Sequence, residues 1–116
     1  MERLVPVVIA SFGYRHEGPP RLPENVPALV IDVRPLFMRN PYHDKRLRRL
    51  RGDHPSVQAD ILKTPGFDES YAKLKAIVSS WPGEVYLGCS GGHHRSVYLA
   101  GRLGQELDCA VVHLHY

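Results

Sequence analysis

Val85-Tyr86-Leu87-Gly88-Cys89-Ser90-Gly91-Gly92-His93-His94-Arg95-Ser96 decides how this chain is read. An apolar run of strand length gives way to a tight glycine turn, and a helical pattern then opens with His, His, Arg and Ser. Glycine lets the backbone bend back and come close to a ligand. The unpaired N–H groups of a first helical turn point at whatever sits there, and the helix dipole favours negative charge. Arg95 and Ser96 add side-chain donors, and a guanidinium matches phosphate with two parallel hydrogen bonds. A strand–glycine–helix junction also occurs in α/β domains without any ligand. The two adjacent glycines and the donor side chains favour a phosphate or carboxylate site.

Outward from this turn, apolar and helical segments alternate. Val7-Val8-Ile9-Ala10 predicts a buried strand that ends in a small-residue turn, Ser11-Phe12-Gly13-Tyr14. Residues 15 to 27, with Pro19, Pro20, Pro23 and Pro27, predict an irregular loop. Ala28-Leu29-Val30-Ile31 predicts a second strand that delivers Asp32-Val33-Arg34 at its C-terminal end. In open α/β sheets ligands sit beyond the carboxyl ends of the strands, so Ser11, Asp32, Arg34 and Ser90 are expected along one edge. Asp53-His54-Pro55 starts a short helix over Ser56 to Lys63. Thr64-Pro65-Gly66 breaks the chain, and a longer helix runs from Phe67 to Ser80 with Phe67, Tyr71, Leu74, Ile77 and Val78 inward. The helix after the glycine turn buries Val97, Ala100, Leu103 and Leu107, and Ala110 to Leu114 is a last strand. The expectation is a small α/β domain over residues 1–116, with a mainly parallel sheet of about four strands and flanking helices.

The chain has 116 residues, 43% of them hydrophobic and 23% charged, which suits one globular domain with a modest core. A net charge of +3 and a pI near 9.0 permit a phosphate-bearing or nucleic-acid partner. Seven of the fifteen Lys and Arg residues fall between Arg34 and Arg51, with Asp44 the one acid between Val33 and Gly52. Lys45, Arg46, Arg48, Arg49 and Arg51, near Tyr42 and His43, read as an RNA-binding strip. The same pattern fits a solvated loop in which Leu47 and Leu50 pack down and the arginines face water. No apolar run reaches membrane-spanning length, so no membrane partner is expected. Val5 to Ala10 is too short for a signal peptide and contains Pro6. With two cysteines and no secretory signal, a reducing cytoplasm is the expected location.

Ser11-Phe12-Gly13-Tyr14, Asp32-Val33-Arg34, Asn40-Pro41 and Gly88-Cys89-Ser90-Gly91-Gly92-His93-His94-Arg95-Ser96-Val97 occur in that order. Together they resemble the C-terminal domain of the RapZ family, the RNase adapter proteins, from Val7 to Leu107. The resemblance implies an α/β unit that binds small RNAs and senses glucosamine-6-phosphate, a regulatory adapter rather than an enzyme, with no cofactor. It implies that Ser90, Gly91, His94 and Arg95 hold the phosphate. Gly92 and Ser96 complete the turn, and Asp32, Arg34, Tyr42 and His43 line its edge. Ser90 stands where the family commonly has Thr, and Tyr42 stands where sensing members have His. The implied partners are an amino sugar phosphate, RNA, and a separate nucleotide-binding or RNase protein; the oligomeric state is left open. Full-length members carry an N-terminal domain with a phosphate-binding P-loop. No G-x-x-x-x-G-K-[ST] occurs here, so no P-loop domain and no ATPase or GTPase activity is expected.

Two other chemistries fit parts of the pattern. Cys89, Gly92, Arg95 and Ser96 match C-x-x-G-x-x-R-S, the loop of cysteine-dependent phosphatases, where a thiolate attacks phosphorus and Arg95 would hold the oxygens. That chemistry needs a general acid, for which Asp32, Asp44 and Asp53 are candidates. Gly88 stands where those enzymes usually have His. His93-His94 and His113-x-His115 offer nitrogen ligands, but adjacent helical histidines point about 100° apart and rarely reach one metal, so no metal is expected. His113 and His115 are expected on one face of an edge strand.

Overall fold

The computed structural model describes residues 6–16 and 19–116. Val5 and two positions of the loop expected over 15 to 27 lie outside the described residues. Four strands, β1 (Val8–Gly13), β2 (Ala28–Asp32), β3 (Glu84–Cys89) and β4 (Ala110–His113), form one sheet in the order β2-β3-β1-β4. Every pairing is parallel. The centre of the sheet is therefore β3 beside β1, and their C-terminal ends lie together at one edge.

The apolar runs became strands because both faces of the central pair are covered. Ile9, Val85, Leu87 and Cys89 project to one face and join a core with Val57, Ile61, Phe67, Tyr71, Leu74, Val78, Leu99, Ala100, Leu103 and Leu107. Those residues come from three helices, α1 (Pro55–Leu62), α2 (Phe67–Ser79) and α3 (Arg95–Leu107). Burial of each such aliphatic side chain is worth about 1.5–3 kcal/mol. Phe12 on the other face is also fully buried, and its ring meets that of Tyr14 edge-on at 4.9 Å. Pro55 sits in the first turn of α1, and the His54 ring accepts from the Ser56 N–H, capping the helix start.

Several expectations change in detail. Ser11-Phe12-Gly13 is strand and not turn, because the ladder continues with Phe12 opposite Gly88 and Gly13 opposite Cys89. Ile77 is 51% exposed, whereas Phe67, Tyr71, Leu74 and Val78 are buried. At 100° per residue Ile77 lies about 90° off the centre of that stripe, while the other four lie within about 30° of it. His93 and His94 precede α3 rather than opening it. Leu47 is buried and Leu50 packs against the core, while Lys45, Arg46, Arg48 and Arg49 are exposed. Among the described residues, no helix is long and apolar enough to cross a membrane.

Candidate anion-binding site

The turn between β3 and α3 is held from outside by its carbonyls. Beyond β1 the chain keeps running alongside it: the Tyr14 N–H donates to the Cys89 carbonyl at 2.9 Å and the Arg15 N–H to Ser90 at 2.9 Å. The His16 ring contacts the Gly91 carbonyl at 3.1 Å through Nε2, and the Gly52 N–H donates to the His93 carbonyl at 2.8 Å. With the carbonyls turned outward, the N–H groups of Ser90, Gly91, Gly92, His93 and His94 have no acceptor among the described residues. His94 precedes α3 with no side-chain cap on the helix. A run of unpaired amides ahead of a helix is a nest for an anion.

Two glycines make this path possible. Gly92 has φ +77°, and a Cβ there would lie 2.6 Å from the Gly13 nitrogen. The turn and the end of β1 therefore touch backbone to backbone. At Gly88 a Cβ would meet the Phe12 and Tyr14 rings at 2.5 and 2.6 Å, so glycine lets that aromatic pair close the floor.

Inside the turn is a cavity of about 240 Å³ lined by Arg15, His16, Asn40, Tyr42, Cys89, Ser90, Gly91, His93, His94 and Arg95. Two of its side chains are buried yet incompletely paired. Arg95 is 4% exposed; its Nη1 donates to the Phe37 carbonyl at 3.0 Å, but its Nε has no partner. His94 is 6% exposed and its Nε2 has none. A buried polar group left unpaired costs about 1–3 kcal/mol, and more if charged. Burial pushes the Arg95 pKa down, countered by Cys89 and Asp32 and reinforced by Arg34. Guanidinium nevertheless stays protonated in proteins. Burial also lowers the His94 pKa, with the Leu50 and Arg48 backbone pulling it back.

The sequence-derived residues divide around this cavity. Ser90, Gly91, His94, Arg95 and Tyr42 line it, and Gly92 shapes it. Ser96 is fully buried; its hydroxyl contacts Cys89 Sγ at 3.2 Å and donates to the Phe12 carbonyl at 3.4 Å. Ser11 is likewise buried, against His113 Nδ1 at 2.6 Å. Asp32 and Arg34 stand at the same sheet edge but bind each other: Arg34 Nε and Nη2 donate to the two Asp32 oxygens, both at 2.9 Å. The Arg34 side chain holds the Asp32 carboxyl below its ordinary range. His43 faces an adjoining hollow with Arg39, Asp44, Lys45 and Asp60.

Tyr42 lies in a short 3-10 helix, Pro41–His43, whose first turn is capped by Asn40 Oδ1 accepting from the Tyr42 N–H at 3.1 Å. The Arg48 guanidinium lies over its ring at 4.5 Å, with Arg48 Nε donating to the Tyr42 carbonyl at 3.0 Å. Arg46 pairs with Asp44, and Arg51 Nη1 donates to the Arg49 carbonyl. Sequence reasoning passed over Arg15, His16 and His93 as cavity residues and used Asn40 only as part of a motif. Arg15 and His16 follow β1 directly, so the rule that ligands meet strand C-terminal ends contained the signal. Among the described residues, no group of three or more His, Cys, Asp or Glu side chains is placed to hold a metal ion.

The comparisons with known proteins agree with this architecture. The family model of the RapZ C-terminal domain matches residues 5–116. Relatives called nucleotide-binding proteins include one from Deinococcus radiodurans, 34% identical over 122 aligned residues that cover 97% of this chain and 41% of that protein. One from Rhodospirillum rubrum is 37% identical, covering 88% of this chain and 33% of its own length. One from Heliobacterium modesticaldum is 36% identical, covering 87% and 35%. The chain thus spans 33–41% of the length of these relatives. By its sequence match and its α/β fold, the chain belongs to the RapZ C-terminal domain family.

Proposed function

We propose that the chain binds a phosphorylated small molecule through the turn between β3 and α3. The observation that carries this is the pair of buried polar atoms without a partner, His94 Nε2 and Arg95 Nε, beside a run of unpaired amides; the ring joins as a donor in the tautomer or charge state that puts a proton on Nε2. A phosphate satisfies them together, because its oxygens accept from several donors at once. The Ser90 hydroxyl adds one more donor at the rim. A cavity of about 240 Å³ is the size for a metabolite rather than a larger ligand, since drug-sized sites run about 300–1,000 Å³. Binding of this kind suits a sensing role in a larger regulatory protein. The relatives' name, nucleotide-binding protein, is compatible with a phosphate-bearing ligand.

RNA is the proposed second partner, along the exposed strip from Lys45 to Arg51. The strip is continuous with the cavity, because Arg48 covers the Tyr42 ring that lines it. Phosphodiester contacts there extend the site without reading sequence.

One observation favours a cysteine phosphatase as the second reading: Cys89 and Arg95 line one cavity, and Cys89 Sγ meets Ser96 Oγ. Two others weigh against it. The Ser96 hydroxyl that meets Cys89 Sγ is also engaged with the Phe12 carbonyl, so it is not reserved for the sulfur. The three candidate acids are engaged, Asp32 by Arg34, Asp44 by Arg46 and Asp53 by the Tyr116 hydroxyl. A phosphorus NMR spectrum of a hexose 6-phosphate with the protein, followed for several hours, tests both. Binding broadens or shifts the ester line with no new peak. A growing inorganic phosphate line that vanishes in Cys89→Ser means that the thiol is a nucleophile and overturns the binding-only reading.

A further inference from the structure

Three histidines close a ring of contacts around the β3–α3 turn, one from each segment that meets there. His16, on the segment after β1, donates from Nε2 to the Gly91 carbonyl in the turn at 3.1 Å. His93, in the turn, donates from Nδ1 to the carbonyl of Tyr116, beyond β4, at 3.1 Å. His115, also beyond β4, accepts at Nδ1 from the Gly13 N–H at the end of β1, at 2.8 Å. The rings pack on one another, His16 stacked on His115 at 4.3 Å and edge-on to His93 at 5.8 Å.

The three contacts respond differently to a proton. An imidazolium donates from both nitrogens and accepts at neither. His16 and His93 already donate to carbonyls, so their contacts survive charging. The His115 contact does not, because a proton on Nδ1 sets donor against donor at the Gly13 N–H. Gly13 is also where β1 touches the turn, since a Cβ there would lie 2.4 Å from the Gly91 carbonyl carbon. We infer that His115 is a proton-operated latch on the anion site. Its neutral ring holds the segment after β4 against the end of β1. Protonation of Nδ1 releases that segment, and with it the Tyr116 carbonyl that holds His93, a wall of the cavity. The consequence for a ligand rests on the phosphate-binding reading; the latch itself does not.

The groups facing the ring tune its titration. A charge on His16, stacked on His115, opposes a second proton there. Burial, Arg51 and His16 disfavour a proton on His93, against the pull of the Tyr116 and His115 backbone. Arg51 lies over the Tyr116 ring at 5.8 Å, His113 stacks on that ring at 5.6 Å, and Asp53 accepts from the Tyr116 hydroxyl. Glu17 follows His16 in the chain and lies outside the described residues.

The test is an NMR titration of the full chain from about pH 8 to about pH 5, across the ordinary histidine value of about 6.5, with His115→Asn in parallel. Asparagine keeps an acceptor, Oδ1, where Nδ1 stands, and does not titrate. The expected result is that the wild-type Gly13 amide moves with the midpoint of the His115 ring and stays fixed in His115→Asn. A Gly13 amide that does not move, or moves equally in both chains, overturns the latch. Disappearance of the response in Glu17→Gln assigns it to that carboxylate and also overturns the latch. Inorganic sulfate, a dianion throughout this range, then probes the site. Every other histidine is common to both chains, so near pH 5 the wild type is expected to bind sulfate at least about fivefold more weakly than His115→Asn, with equal affinities near pH 8. Equal affinities at both ends, with Gly13 still titrating, overturn the latch's hold on the site. No sulfate binding by either chain overturns the phosphate site and that hold with it, while the Gly13 titration still decides the latch.

Discussion

Replacing Arg95 by methionine separates its two roles. Methionine keeps an apolar stem of similar length and removes the buried charge, so Arg95→Met tests what the guanidinium does in the folded protein. Arg95 has one hydrogen bond, to Phe37, and an unpaired Nε. Losing the Phe37 contact costs about 1–3 kcal/mol if that carbonyl is left buried and unpaired. Removing an incompletely paired buried charge returns about 1–4 kcal/mol. The two effects nearly cancel, so unfolding stability stays within about 2 kcal/mol of wild type. Binding changes far more. A charge-assisted hydrogen bond contributes about 1.5–3 kcal/mol, so a two-pronged contact at the low end is worth about 3 kcal/mol. That weakens Kd for a sugar phosphate by about 150-fold. Urea unfolding and calorimetric titration on the same preparation read both quantities. A Kd within threefold of wild type refutes the contact. A stability loss above about 4 kcal/mol means that Arg95 is a structural strut rather than a ligand arm.

Three other outcomes are expected. Gly92→Ala combines a left-handed backbone with a clash on Gly13, and loses about 3 kcal/mol in urea unfolding, whereas Gly66→Ala, at φ +70° with open space around it, loses about 1. Equal losses at both positions would show that the backbone contact with Gly13 is unimportant. His93, His94 and His113 all have pKa values lowered by burial, so the unfolded chain binds more protons below the ordinary histidine value of 6.5. Their contribution is complete above that value and is lost as pH falls through it, and the thermal midpoint drops between pH 7.5 and 5.5; a flat profile contradicts this. Replacing Arg46, Arg48 and Arg49 together flattens the salt dependence of RNA binding, and no RNA affinity in the wild type at low salt removes that partner.

The sheet was legible because its strands are short apolar runs, a pattern that needs no tertiary information, although only the central pair is largely buried and β2 and β4 are part-exposed. The length of β1 was not, since Ser11, Phe12 and Gly13 are strand residues only because Leu87, Gly88 and Cys89 lie opposite them. The glycine turn was legible in the same local way, and His94 and Arg95 do border a cavity there. What one sequence hides is pairing across the fold. Asp32 and Arg34 read as ligand residues, yet they are two apart and fold onto each other. Ser96 reads as a helix-start donor, yet its hydroxyl turns inward to Cys89 and Phe12. Arg15 and His16 reach the turn only because the chain keeps running beside β3 after the strand ends.

The unpaired amides and side-chain donors of the β3–α3 turn are expected to close around a phosphate. Amide chemical shifts of isotope-labelled protein, recorded while glucose 6-phosphate is added, test it most directly. Saturable shifts are expected at Ser90, Gly91, Gly92, His93, His94 and Arg95, with the Arg95 Nε resonance moving alongside them. No saturable shift in those amides, or saturation centred on the hollow around Arg39 and Asp60 instead, contradicts it.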